Sequence, residues 1–294
     1  MVDFLKMIIR PNFKEQISAV LNLEQAHIEQ TAELLENKPL KAKYYGMEIL
    51  IFNNHTIIKG SIHKLRNERL GKGDQNYNSF SNEDAIQELK ELHQVLKIDP
   101  KCAIIQNIEV GVNIEVDFNV TQFLKENIID HSMKPPSTRT KKNNGYVITF
   151  DVSEGIIKLY DKGRQYGVDK EIIRIERKFR VNRAIYKKAQ IKTVEDLLNP
   201  DKLNTLTRCL VDVLQKANII DTMLLPNDLT HKQRNVLANG INPSFWTNYH
   251  NQGLTMEKTK YRRKYLELIN RLKLDKKKRS LINQLNKAVI TQIA

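Results

Sequence analysis

The sequence predicts an α+β protein, with an antiparallel sheet in its first two-thirds and a smaller helical module after it. Three observations carry that expectation. Strand signals flank turn residues at 47–65 and 145–163, apolar and polar residues alternate strictly at 108–116, and from about residue 190 the apolar spacing becomes helical. The expected division is a unit of residues 1–190 followed by a helical unit of residues 191–294.

Taken in order, "MEILIF" (47–52) and "HTIIKGSIHKL" (55–65) flank Asn53-Asn54 and read as a hairpin. The polar "RNERLGKGDQNYN" that follows reads as a loop. Ser81 and Asp84 form a capping box that opens a helix with Ile86, Leu89, Leu92, Val95 and Leu96 on one face. In "AIIQNIEVGVNIEVDF" (103–118), Ile108, Val110, Val112, Ile114 and Val116 share one face. Glu109, Gly111, Asn113 and Glu115 share the other, with Asp117 beyond them, so one face is buried and the other polar. Gly111 inside the strand signals close approach of a ligand or another part of the chain. Residues 132–145, "SMKPPSTRTKKNNG", read as a basic loop, and 145–163 as a hairpin turning at Ser153-Glu154-Gly155.

The next strand opens "IIRIERKFRVNRAIYKK" (172–188). Arg174, Glu176, Lys178 and Arg180 fall on one face with Ile172, while Ile173, Ile175 and Phe179 fall on the other, together with Arg177. Helical patterns then run through "TVEDLLNPDKLNTLTRCLVDVLQKANII", "LTHKQRNVLANG" and "LTMEKTKYRRKYLELINRLKL", with Thr or Asp as caps, and a last helix starts near residue 275. There is no internal repeat.

The chain of 294 residues carries a net charge of +14, which favours a polyanionic partner because neutralising phosphates releases condensed counterions. Cys102 and Cys209 lie far apart and give neither a disulfide scaffold nor a zinc ligand set. The first residues lack the pattern of a signal peptide, and no apolar run reaches the roughly 20 residues that cross a bilayer. The expectation is an intracellular protein with no membrane contact.

One lone carboxylate, Glu176, stands among Arg174, Arg177, Lys178, Arg180 and Arg183. If the polar faces of three strands meet, His63, Glu109, Glu115 and Glu176 offer oxygen and imidazole ligands to a hard divalent ion, Mg²⁺ or Mn²⁺. The basic residues around them would hold phosphates. The plainer alternative is a set of interstrand ion pairs around Glu176.

These residues resemble a known family. Tyr160-Asp161-Lys162, then Arg174-Ile175-Glu176, then Tyr186 ten residues on, is similar to the end of the nuclease domain in rolling-circle replication initiators. The likeness is to the plasmid initiators of the Rep trans type and to the filamentous-phage initiators, and it covers residues 45–190. It implies a relaxase-like five-stranded antiparallel sheet flanked by helices. It also implies a tyrosine, Tyr186, that attacks a phosphodiester to leave a 5′-phosphotyrosyl enzyme and a free 3′-hydroxyl. A phenol is a weak nucleophile at neutral pH, so a divalent metal on Glu176, Glu109, Glu115 and His63 would polarise the phosphate. Lys162, Arg174, Lys178 and Arg180 would contact DNA.

The implied partners are an origin with a single-stranded or cruciform nick site, and a host helicase and polymerase in the cytoplasm of a bacterial host. The His-hydrophobic-His pair of many such nucleases is missing here, and only Tyr186 fills the tyrosine slot, which favours a homodimer. Two other readings stay open. Asp161, Glu176 and Lys178 fit the loose pattern of metal nucleases in which water attacks. The helices from 229 to 268 fit a DNA-binding regulator, with Lys258, Lys260, Arg262, Arg263 and Lys264 on a basic face.

Overall fold

Alternation builds the strands, and their polar faces decide the architecture. A computed structural model describes residues 2–10, 13–21, 39–142 and 145–290. It opens with β1 (Val2–Ile9), α1 (Lys14–Val20), β2 (Leu40–Tyr44), β3 (Met47–Ile51), β4 (Thr56–Ser61), α2 (Ile62–Arg69) and α3 (Asn82–Leu96). Then come β5 (Ala103–Glu115), α4 (Val120–Glu126), β6 (Ile128–His131), β7 (Thr138–Lys142), β8 (Gly145–Val152), β9 (Gly155–Asp161), α5 (Lys162–Tyr166) and β10 (Ile172–Phe179). Helices α6 (Asn182–Ala189), α7 (Val194–Leu197), α8 (Pro200–Thr207) and α9 (Cys209–Lys216) follow, then β11 (Ala217–Ile219). The described chain ends with α10 (His231–Ile241), α11 (Pro243–Asn251), α12 (Thr255–Arg271) and α13 (Lys276–Ile290).

One antiparallel sheet runs in the order β2-β3-β4-β1-β5-β10-β9-β8-β7, with β6 and β11 paired separately. The sheet therefore has nine strands among the described residues rather than five. Beyond the six strands that the sequence patterns mark, the sheet adds β1 and the two edges, β2 and β7. Both edge strands, "LKAKY" and "TRTKK", are rich in lysine, which guards an open edge against pairing with another chain. That polarity makes β7 look like a loop in the sequence; Asn143 and Asn144, between it and β8, lie outside the described residues.

The strand expected at 55–65 stops at Ser61, whose hydroxyl accepts from the Lys64 amide and caps α2. The capping box of Ser81 and Asp84 forms as expected and opens α3. On β5, Ile108, Val110, Val112 and Ile114 belong to the core, and they pair with Phe179, Arg177, Ile175 and Ile173 of β10. Helices α4, α6, α7, α8, α9 and α13 pack against the strands.

The apolar core does not stop at residue 190. Leu203, Leu206, Leu210, Val213 and Leu214, and then Leu281, Leu285 and Val289, belong to the cluster that contains the sheet. A second cluster gathers Ile220, Leu237, Trp246, Tyr265, Leu268, Ile269 and Leu274. Gly240 lets its helix touch α12 there: a Cβ at that position would come within 2.0 Å of the Tyr265 ring. No described helix is long and apolar enough to cross a membrane.

Candidate active site

Register brings three acids together on the polar face. Glu176 of β10 pairs with Gly111 of β5, Lys178 with Glu109, and Arg174 with Asn113. Across the other edge of β10, Glu176 pairs with Lys158 and Arg174 with Tyr160. The third acid comes from β1. Its register against β5 shifts between Val2 and Phe4, so Asp3 is an extra, bulged residue, and a bulge re-aims a side chain. Carboxylate oxygens of Asp3, Glu109 and Glu176, all three buried, lie within 4.8 Å of one another.

Cations knit the cluster. The Arg174 guanidinium donates to Asp3 (2.5 Å), to Glu176 (2.5 Å) and to Asn113 (2.8 Å). Lys158 Nζ donates to both Glu109 and Glu176 at 3.0 Å, and the Tyr160 hydroxyl donates to Glu176 at 2.7 Å. Ser61 and Asn76 also donate to Asp3. Gly111 explains itself here: a Cβ would meet Arg174 Nη2 at 2.8 Å and Glu176 Cγ at 2.9 Å. The close approach that this glycine signals is made by two side chains of the site.

Electrostatics divide the acids. Burial pushes the Glu176 carboxyl up, but Arg174, Lys158 and hydrogen bonds from Arg174 and Tyr160 outweigh it and hold the group well below the usual range. Asp3 is likewise lowered, its burial outweighed by Arg174 and by Ser61 and Asn76. Glu109 behaves oppositely: burial and the charge of Glu176 raise it to about 7 against the pull of Lys158. Such crowding of like charge is what a divalent cation relieves, and three carboxylates are a hard donor set suited to Mg²⁺ or Mn²⁺. Among the described residues, Asp3, Glu109 and Glu176 fit that ion.

The structure redistributes the residues expected from sequence. Glu115 sits six positions beyond Glu109 on the same strand, about 20 Å along it by strand rise, exposed and paired with Lys170 at 2.9 Å. It is not a member of the cluster. His63 is on helix α2, stacked on Phe80 and hydrogen-bonded to Asn78 at 2.6 Å, so its nitrogen turns to a neighbour in the loop. Arg174 and Lys162 are buried rather than open to DNA; Lys162 donates to Asn76 at 2.6 Å, and burial and Arg174 lower it to about 7. Lys178, 3.8 Å from Glu109 and lying over the Phe4 ring, remains partly exposed, and Arg180 is exposed.

Tyr186 is 49% exposed on α6, whose Ala184, Ile185 and Ala189 join the core. No hydrogen bond joins its hydroxyl to Asp3, Glu109 or Glu176 among the described residues. Asp161 pairs with Ile173 on the face opposite Glu176, accepts from Thr121 at 2.6 Å and caps α5. The set Asp161, Glu176 and Lys178 is therefore split across the sheet. In the tail, Arg262 packs on Trp246 and toward Asp130, whereas Lys260 and Arg263 are exposed on α12. Sequence reasoning missed Asp3, Lys158 and Asn76, and gave Tyr160 a place in a motif but no role in the site.

Burial, together with Arg174 and Lys162, lowers His63 to about 4 against the opposing charge of Asp3. A histidine whose folded value lies below its unfolded value near 6.5 takes up a proton on unfolding. Its stability contribution is intact above about pH 6.5 and is lost as pH falls toward 4. The melting temperature should fall over that window, and His63→Phe should flatten the profile by about 1–3 kcal/mol. An unchanged slope in the variant would count against this assignment.

The fold and site together are those of an antiparallel sheet that gathers three buried acids among lysine and arginine side chains. No protein-family model and no curated protein matches the chain. Among solved structures, it is similar to a rolling circle replication initiator protein from Geobacillus stearothermophilus, at 15% identity and a TM-score of 0.41, over 80% of this chain and 90% of that one.

Proposed function

We propose that the chain is a rolling-circle replication initiator that nicks one strand of an origin. The reading is carried by the convergence of Asp3, Glu109 and Glu176 from three adjacent strands beside Lys158 and Lys178. Asp3, Glu109 and Glu176 would hold a divalent metal, Mg²⁺ or Mn²⁺, which when bound polarises the scissile phosphate. Arg174 and Lys158 fix the carboxylates in place. Lys178, 3.8 Å from Glu109, and the exposed Arg180 hold the DNA backbone. Tyr186 attacks the phosphorus, the 3′-oxygen leaves, and the enzyme keeps the 5′ end as a phosphotyrosyl ester. The Tyr186 side chain is half exposed on α6, open to a DNA strand.

In this reading the sheet with α6 to α9 and α13 is the nicking unit, and the helices of the second core cluster serve origin recognition or pairing of two copies. A homodimer supplies a second tyrosine, a host helicase is a further partner, and a polymerase extends the free 3′-hydroxyl in the bacterial cytoplasm. The plasmid or phage setting follows from the sequence resemblance. One observation favours a second reading: the Tyr186 hydroxyl makes no hydrogen bond to the acids, which suits attack by water on the same cluster.

Incubation with single-stranded origin DNA and Mn²⁺, followed by denaturing gels, separates the readings. An adduct that survives SDS and disappears in Tyr186→Phe is expected. Cleavage without an adduct would favour water as nucleophile, and binding without cleavage a regulator.

A further inference from the structure

On the face of the sheet opposite the acids, β8, β9 and β10 run under α9 and the end of α6. A cavity of about 390 Å³ opens between them, walled by Phe150, Phe179, Val213 and His131. Arg177 projects into this apolar side from β10, the one charged residue on that face of the strand. Its side chain is 12% exposed, and it makes no hydrogen bond among the described residues. The nearest carboxylate oxygen, on Glu154 at the rim, is 3.9 Å away, and the Phe179 ring centre lies 5.1 Å from Cζ.

Held on an apolar wall with only this loose ion pair to Glu154, the guanidinium keeps its donors for an anion that enters the cavity. A second group on the same wall is also unmatched. His131 is buried, and its Nε2 has no hydrogen-bond partner among the described residues. Burial, then Arg177 and Lys216, lower its pKa to about 4, as expected where positive potential accumulates. At the mouth, Lys134 and Lys216 are exposed, as is Asp151, whereas Lys188 is paired with Asp212 at 2.5 Å.

We propose that this cavity binds a phosphate monoester of nucleotide size, with Arg177 as the anchor of its phosphoryl group. A planar guanidinium matches two phosphate oxygens, and Lys134 and Lys216 neutralise the second charge of a dianion. The volume exceeds that of phosphate alone and falls in the range of small-ligand pockets, with Phe150 and Phe179 as apolar walls for the remainder of the ligand. The site is separate from the acid cluster and does not depend on it.

Calorimetric titration of the full chain with AMP, ATP and inorganic phosphate tests this, with EDTA present so that no metal bridges a phosphate to the acids. Saturable one-to-one nucleotide binding is expected, weaker for inorganic phosphate. Arg177→Met should weaken it at least tenfold and the surface change Lys216→Ala several-fold. Arg177→Met removes an under-paired buried charge, so its melting temperature should not fall, and loss of binding then cannot reflect unfolding. No saturable binding at millimolar nucleotide, or binding unchanged in Arg177→Met, overturns the proposal. Inorganic phosphate binding as tightly as AMP overturns the assigned ligand size.

Discussion

Asp3→Asn is expected to slow Mn²⁺-dependent strand cleavage by about a thousandfold, the scale of several kcal/mol that a properly held metal contributes. Asn keeps the shape of the side chain and leaves Arg174 its bonds to Glu176 and Asn113, so the sheet should stay folded. The informative comparison is Glu115→Gln, because Glu115 is exposed and its side chain is bound, among the described residues, only to Lys170. Its rate should stay within about threefold, less than ~1 kcal/mol of barrier. Initial rates on a labelled single-stranded substrate at saturating Mn²⁺ decide the matter. An Asp3→Asn rate within tenfold of the parent would remove Asp3 from the site.

Arg174→Met should cost about 3–5 kcal/mol of stability, because it leaves Asp3 and Glu176 buried without their shared cation. In a chain of this size that lowers the melting temperature by about 6–15 °C. The sign with pH follows from the lowered Asp3 and Glu176. Groups whose folded values lie below their unfolded ones contribute stability above about pH 4 that is lost in acid. The gap between parent and variant should therefore narrow below pH 4. Thermal unfolding followed by circular dichroism at pH 7 and pH 3.5 reads both; a gap under about 2 °C at neutral pH would show that the arginine is dispensable.

Much of the site was legible because alternation fixes which residues share a face. Glu109, Gly111, Asn113, Arg174, Glu176 and Lys178 meet as their spacing requires. Asp3 was hidden by the same rule. Leu5, Met7 and Ile9 are core residues, so unbroken alternation would have sent Asp3 into the core with them. Only the bulge turns it to the polar side, and a bulge is a property of the pairing with β5 rather than of the β1 sequence.

His63 was misjudged because Ser61 ends a strand by capping a helix, a choice that the apolar pattern of 55–65 does not reveal. Lys162 and Arg174 looked like phosphate contacts because charge is read from sequence while burial is not. The placement of Tyr186 depends on where α6 packs, which ten residues of spacing leave undetermined.

The pairing of Asp3 with Arg174 spans 171 positions of chain. Such a contact cannot form early in synthesis or by local zippering, because β1 must first be joined by β5 and then by β10. Topologies dominated by distant pairings fold slowly, since loop entropy is lost before the pairing is gained. β1 has its neighbours once β4 and β5 are made, but Asp3 meets Arg174 only when β10 joins β5, and a partial chain that lacks β10 has no assembled acid cluster. The acid cluster thus assembles late, with the arrival of β10 beside β5.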